Sequence, residues 1–161
     1  MAVRKAIKSD IPAIQQIAQV TWKATYSDIL SQEQFTYMMQ MIYAAEALEN
    51  QMDNGHHFYI LTEQEEAVGF IDVEKINDTK TKLHKIYLLP DQQGKNYGKL
   101  LLNHAVEKAK ENNSSILQLN VNRYNKARNF YEKQGFIVKY EDDIDIGSGY
   151  FMNDYIMELA L

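Results

Sequence analysis

One segment constrains the fold of this chain more than any other. Residues 81–89 form a strand-like run that ends at Pro90, a residue that cannot donate a ladder hydrogen bond. The loop Asp91-Gln92-Gln93-Gly94-Lys95-Asn96-Tyr97-Gly98-Lys99 follows, and Leu101, Leu102, Ala105, Val106 and Ala109 then recur on one side of a helix. Residues 116–121 form the next strand. A helix between two strands makes a crossover, so part of the sheet is parallel. The first amides of such a helix lack internal partners and lie at the positive end of its dipole, which makes the loop an anion site. Gly94 and Gly98 leave room for close backbone approach, and Lys95 and Lys99 add positive charge. An ordinary strand-to-helix turn with glycines for tightness accounts for these residues equally well.

The flanking sequence supplies the rest of the sheet. Residues 2–7 suit a short strand, and Ser9 caps a helix with Ile11, Ile14, Ile17, Ala18 and Thr21 at helical spacing, ending near Thr25. Ser31 with Gln34 fits a capping box, and Phe35, Met38, Met39, Ile42 and Ala45 continue one apolar face until Asp53-Asn54-Gly55 stops it. Residues 58–61 and 67–71 read as a hairpin around a polar turn. Residues 125–134 form a short helix, and two strands near 136–141 and 150–159 close the chain. The expected order is βααβββαβαββ, an α/β fold with a mixed central sheet flanked by helices, in one domain over residues 1–161.

Composition narrows the function. Apolar residues are 45% and charged residues 24% of the 161, which is the balance of a globular protein. The net charge of −5 argues against a general nucleic-acid footprint. The absence of cysteine removes thiolate zinc sites and a cysteine nucleophile and suits a reducing compartment. The opening Met1-Ala2-Val3-Arg4-Lys5 is not an apolar leader, and no apolar run is long enough to span a membrane. A cytoplasmic protein without a membrane partner is expected.

The loop is neither a Walker A motif nor a dinucleotide-binding glycine fingerprint. It resembles instead the acetyl-CoA loop of the GCN5-related N-acetyltransferase (GNAT) family, Gln/Arg-x-x-Gly-x-Gly/Ala after a strand, with Gln93-Gly94-Lys95-Asn96-Tyr97-Gly98 in that register. Asn96 stands where the family usually has its central glycine, and Asn is a non-glycine residue that tolerates left-handed backbone angles. A second stretch, Asn125-Lys126-Ala127-Arg128-Asn129-Phe130-Tyr131-Glu132-Lys133-Gln134-Gly135-Phe136, is similar to the family segment Asn-x-x-Ala-x-x-Phe-Tyr-x-x-x-Gly-Phe. The specific resemblance covers roughly residues 82–137.

The resemblance implies the acyl-CoA N-acyltransferase fold and direct transfer of acetyl from acetyl-CoA to a primary amine of a small, polyamine-like molecule or a peptide N-terminus, without a metal. It also implies that main-chain groups of Ile86, Tyr87 and Leu88, on a strand that splays from its neighbour, meet the cofactor's arm and acetyl group. Residues 93–99 then hold its phosphates, and Asn125 touches it. Tyr131 matches the tyrosine that protonates or hydrogen-bonds the departing sulfur. An imidazole titrates near neutrality, so His84 is the candidate base, in a place where related enzymes often use a carboxylate. A histidine satisfied by a backbone carbonyl is the competing role. Trp22 and Tyr26, four residues apart, suit one wall of an acceptor pocket or plain core. The acidic residues Glu141, Asp142, Asp143 and Asp145 fit either a solvated loop or an attractor of cationic acceptors. His56, His57, His84 and His104 show no His-Glu-x-x-His spacing. Gly147-Ser148-Gly149 reads as a turn. A non-catalytic acyl-CoA-binding module and a nucleotide-binding protein are the rival classes. A homodimer is the commonest closed assembly for such a domain.

Overall fold

The computed structural model describes residues 1–161. A seven-stranded sheet runs in the order β1-β2-β3-β4-β5-β7-β6, built from β1 (Ala2–Lys5), β2 (His57–Glu63), β3 (Glu66–Lys75), β4 (Lys80–Leu88), β5 (Ile116–Asn122), β6 (Ile137–Gly147) and β7 (Tyr150–Ala160). Every neighbouring pair is antiparallel except β4 and β5, which are parallel. The helix required by that crossover is α4 (Tyr97–Glu111). The other helices are α1 (Ile11–Tyr26), α2 (Gln32–Tyr43), α3 (Ala45–Asp53) and α5 (Ala127–Lys133). None is long and apolar enough to cross a membrane.

The sheet is covered on both faces. Ile14, Ile17 and Trp22 of α1 and Leu48 of α3 pack with Phe58, Ile60 and Phe70 on one side. Leu101, Leu102 and Ala105 of α4 and Tyr131 of α5 pack with Leu61, Ile71, Leu83, Leu117 and Leu119 on the other. Successive residues of β2, Ile60 and Leu61, are both fully buried yet belong to different cores, as strands covered on both faces require.

The structure departs from the sequence expectations at four places. The helical region after Ser31 is two helices, because Ala44 adopts an extended conformation (ψ 147°) between α2 and α3. Ser31 does accept from the Gln34 amide, but the Gln34 side chain donates to the Phe151 carbonyl, so only half of the capping box forms. Ser9 lies in a single 3₁₀ turn, and α1 follows Asp10 without a side-chain cap; Asp10 is instead engaged by Arg4 and the Ile7 amide. The acidic stretch 141–145 is part of β6, whose long hairpin with β7 turns at residues 147–149.

Candidate active site

The parallel pairing of β4 with β5 ends early. It runs from Lys80 opposite Ile116 to Leu83 opposite Leu119 and then stops, although β4 continues along β3 as far as Leu88 and β5 continues along β7 as far as Asn122. The two strands therefore splay, and the edge of β4 from His84 to Leu88 that faces β5 has no strand beside it. Packing holds β4 to the β3 side. A Cβ at Gly69 of β3 would stand 2.9 Å from the Tyr87 carbonyl oxygen, so only glycine allows this approach. The splay opens a cleft of about 700 Å³ lined by Ile86, Tyr87, Leu88, Gln93, Gly94, Asn96, Tyr97, Gly98, Lys99, Asn125 and Tyr131, with Tyr26 and His84 also on its wall.

At one end of the cleft stands the opening of α4. Gly94 has φ 85° and Asn96 φ 62°, both left-handed, and these two residues turn the chain from the Pro90–Gln92 3₁₀ turn into the helix. Asn keeps the shape at a position where most side chains would be strained. The Leu100 amide bonds the Asn96 carbonyl at 3.1 Å, which leaves the amides of Tyr97, Gly98 and Lys99 without intrahelical partners at the positive end of the helix. Packing does not explain the glycine at 98. A Cβ there would meet only Phe130 Cζ at 3.7 Å, an ordinary contact, so the missing side chain leaves space on the cleft side. Lys99 is exposed beside these amides. Lys95 turns away, with its ammonium 3.0 Å from Gln92 Oε1 and 3.6 Å from Glu63 Oε2, and Tyr97 donates its hydroxyl to Glu63 Oε1 at 2.9 Å. These free amides, this space and the exposed lysine fit a diphosphate followed by a slender chain along β4.

Tyr131 lines the cleft, 8% exposed, held edge-on by Phe130 and Phe136 with centroids 5.5 and 5.9 Å away. Burial pushes its hydroxyl above the usual phenol range, and no protein group bonds it, so it is a neutral donor facing the cleft. Asn125 lines the cleft and accepts the Ala127 amide on its Oδ1 at 2.9 Å, a local turn just ahead of α5, whose N-cap is Lys126 without a side-chain bond. Tyr26 reaches the cleft and Trp22 does not. The indole is 4% exposed, in an aromatic cluster with Tyr26, Tyr43 and Tyr87 at 4.7, 5.8 and 6.2 Å.

His84 lies where the splay begins, and its partner is the Glu74 carboxylate at 2.8 Å, not a backbone carbonyl. Burial pulls its pKa below the ordinary imidazole value; Asp72 and Glu74 push it back up, and His56 and Lys85 push it down. His56 and Glu74 are neighbours beyond the reach of sequence reasoning, because His56 lies just before β2, Glu74 on β3 and His84 on β4, and only the sheet brings them together. Asn120, another wall residue not foreseen, is placed by β5. On the α1 side of the splay, Asp154 shares a face with Met152 and stands opposite Asp142. Oδ1 of Asp154 and Oδ1 of Asn120 are both buried without a donor. Around them, Arg123 bridges Glu141 and Asp143 on the exposed part of β6.

Residues 26–153 match the acetyltransferase (GNAT) domain family. A spermidine N(1)-acetyltransferase of Thermoplasma acidophilum is 30% identical over 149 residues, which cover 89% of this chain and 92% of that protein. A ribosomal-protein bS18 alanine N-acetyltransferase of Haemophilus influenzae is 36% identical over 91 residues, 56% of this chain and 58% of that one. Among solved structures, the PaiA N-acetyltransferase of T. acidophilum in complex with coenzyme A superposes with a TM-score of 0.84 at 30% identity, covering 99% of this chain and 98% of its own.

Proposed function

Because the chain belongs to the GNAT family and is an acetyl-CoA-dependent N-acetyltransferase, we propose that its acceptor is a small aliphatic polyamine and that the amine attacks the thioester directly, with both substrates bound in the splay. The observation that carries this is the cleft itself. It joins the free amides of α4, the unpaired edge of β4, Tyr131 and His84 in one continuous surface.

Three tasks divide among the residues. An aliphatic amine has a pKa near 10.4, so roughly one molecule in a thousand is neutral near pH 7, and removing its proton is worth about 4 kcal/mol. His84, kept neutral by burial, takes that proton directly or through a water. Charge gathering on the thioester oxygen is met by a main-chain N–H of the β4 edge between Ile86 and Leu88, where a fixed donor lowers the barrier by a few kcal/mol. The Tyr131 hydroxyl donates to the sulfur as it leaves. Gln93, Gly94 and Asn96 through Lys99 hold the phosphates, with Asn125 beside them. Lys95 contributes only through the general field of the loop, because its ammonium is engaged with Gln92 and Glu63. Tyr26 forms part of the acceptor wall, and Trp22 acts behind it as support.

The polyamine is favoured over a peptide N-terminus by the acceptor side of the splay. Asn120 of the cleft wall and the adjacent Asp154 each have a buried oxygen without a donor, and Asp154 stands opposite Asp142 with Lys82 as the nearby cation, so this end of the sheet can take a further ammonium group. The spermidine acetyltransferase of T. acidophilum, matched over nearly its full length, supports the same choice. The test is a panel of polyamines, diamines, lysine and short peptides incubated with acetyl-CoA and followed by thiol release. Polyamine-dependent release above the hydrolysis background is expected. Tight acetyl-CoA binding with no amine-dependent release would leave a non-catalytic binding module, and preference for a peptide would overturn the acceptor assignment.

A further inference from the structure

The β3–β4 pairing slips at one point. Asp72 stands opposite Lys85 and Val73 opposite Leu83, so His84 is an extra residue in β4 with no cross-strand partner. Such bulges re-aim side chains and recur beside active sites. Here the bulge brings the His84 ring face to face with His56, centroids 4.4 Å apart and planes 25° apart. Glu74 Oε1 lies 2.8 Å from His84 Nε2 and 3.5 Å from His56 Nε2. Behind them, Asp72 Oδ2 is 2.7 Å from His56 Nδ1 and 2.7 Å from the Lys85 ammonium, which also donates to Gln51 Oε1 at 2.7 Å.

His56, Glu74 and His84 place donor atoms within 4.8 Å of one another, as a metal site would. The stacking argues for another role. An imidazole binds a metal along the lone pair in its own plane, and two nearly parallel rings have no common point in both planes within bonding reach. What the geometry does supply is a carboxylate that orients one imidazole, with a second imidazole, pinned by a buried carboxylate, bracing its face.

We infer that Glu74 is a positioning residue for acetyl transfer: it accepts the Nε2–H of His84 and so keeps the lone pair on Nδ1, the ring nitrogen with no protein partner, for the proton of the acceptor amine. This rests on His84 being the base. Nδ1 takes a proton from the ammonium form of the acceptor, the neutral nitrogen bonds to the acetyl carbon as the carbon–sulfur bond breaks, and the proton shed by the new amide nitrogen goes to the CoA sulfur departing beside Tyr131. The resulting imidazolium is stabilised by the Glu74 carboxylate, which stays ionised, and the proton passes from Nδ1 to water after the products leave. His56 fixes the ring plane, and Asp72 and Lys85 fix His56. Glu74, His56, Asp72 and Lys85 are the charged and titratable groups that bear on His84, and Lys82 of β4, opposite Glu74 across the ladder, bears on Glu74.

The experiment compares pH profiles of kcat/KM for the acceptor, at saturating acetyl-CoA, in the wild type, Glu74→Gln, His56→Phe and His84→Ala. Glu74→Gln keeps the shape and removes the charge. It is expected to move the limb on which the rate rises with pH about one unit lower, and to reduce kcat about tenfold, with KM for acetyl-CoA within about twofold. His56→Phe keeps the stacking surface, removes a positive neighbour and frees Asp72, so the same limb moves to higher pH. Opposite displacements are not what loss of packing alone produces. Nitrogen-15 shifts of the wild-type His84 ring are expected to report the Nε2–H tautomer. A limb and a kcat unmoved by Glu74→Gln, or a ring protonated on Nδ1 when neutral, would overturn the inference and leave the base intact. A limb that survives His84→Ala at its original pKa would instead remove the base assignment on which it rests.

Discussion

The Tyr131 hydroxyl, buried among aromatic rings and facing the cleft, is suited to giving a hydrogen bond and ill suited to ionising. An alkyl thiol has a pKa near 8.5, so the leaving sulfur is tolerable even unaided. Tyr131→Phe is therefore expected to lower kcat only about tenfold, in an assay limited by chemistry, while the Kd for CoA stays within about twofold. An unchanged kcat would strip the residue of its role. Asp72 makes a different demand. It is fully buried, and although burial alone would raise its pKa, His56 and Lys85 hold it below the usual carboxylate range. Asp72→Asn leaves the Lys85 ammonium, itself 7% exposed, without its counter-ion, at a cost of about 3–5 kcal/mol. For a chain of this size that corresponds to a fall in Tm of about 10 °C, readable by calorimetry. That Tyr131 and Tyr26 stand on the cleft wall was legible through a motif and a helical spacing, and that His84 does was legible from its place on the strand leading into the loop. Glu74 and His56 were not, since nothing local in either residue announces a partner that only the folded sheet delivers.

At the scale of elements, the opening of α4 separates the demands of the protein from those of its ligand. Gly98→Ala adds a methyl that the protein tolerates and that favours a helix by up to about 1 kcal/mol, so the Tm without ligand is expected to hold or rise slightly. The same methyl occupies the space beside the free amides, and acetyl-CoA should bind about tenfold or more weakly by calorimetric titration. Equal affinity would mean that the phosphates lie elsewhere. The strand–loop–helix order of this region was readable because Pro90, Gly94 and the apolar spacing after Lys99 all punctuate it. The break at Ala44 was hidden, because Met38, Met39, Ile42 and Ala45 fit one continuous helical face and Ala is a good helix former. The extension of β6 was hidden for the converse reason. Its charged residues look like loop, yet they lie on an exposed strand whose hydrogen bonds come from β7.

For the whole molecule, ligand linkage gives the broadest check. Acetyl-CoA at about 100 times its Kd stabilises the native state by about 2.7 kcal/mol and should raise the Tm by several degrees, whereas ATP at the same concentration should not. A shift with ATP alone would reinstate the nucleotide-binding class. Acid should act in the other direction. His57, His84 and His104 each have a native pKa lowered first of all by burial, so below the unfolded value near 6.5 the unfolded chain binds more protons than the native one. Stability is then expected to fall as pH drops through that value toward the lowered native ones, which a series of melts between pH 8 and 5 would show. The sheet's early parting has a mechanical meaning as well. Between strands β1–β4 and strands β5–β7 the backbone ladder runs only from Lys80 to Leu83, so the sheet without its donor is two halves sharing a short seam under α4. A donor lying along the open edge closes that seam like an eighth strand, and amides on both banks should slow their exchange with deuterated solvent together when it binds.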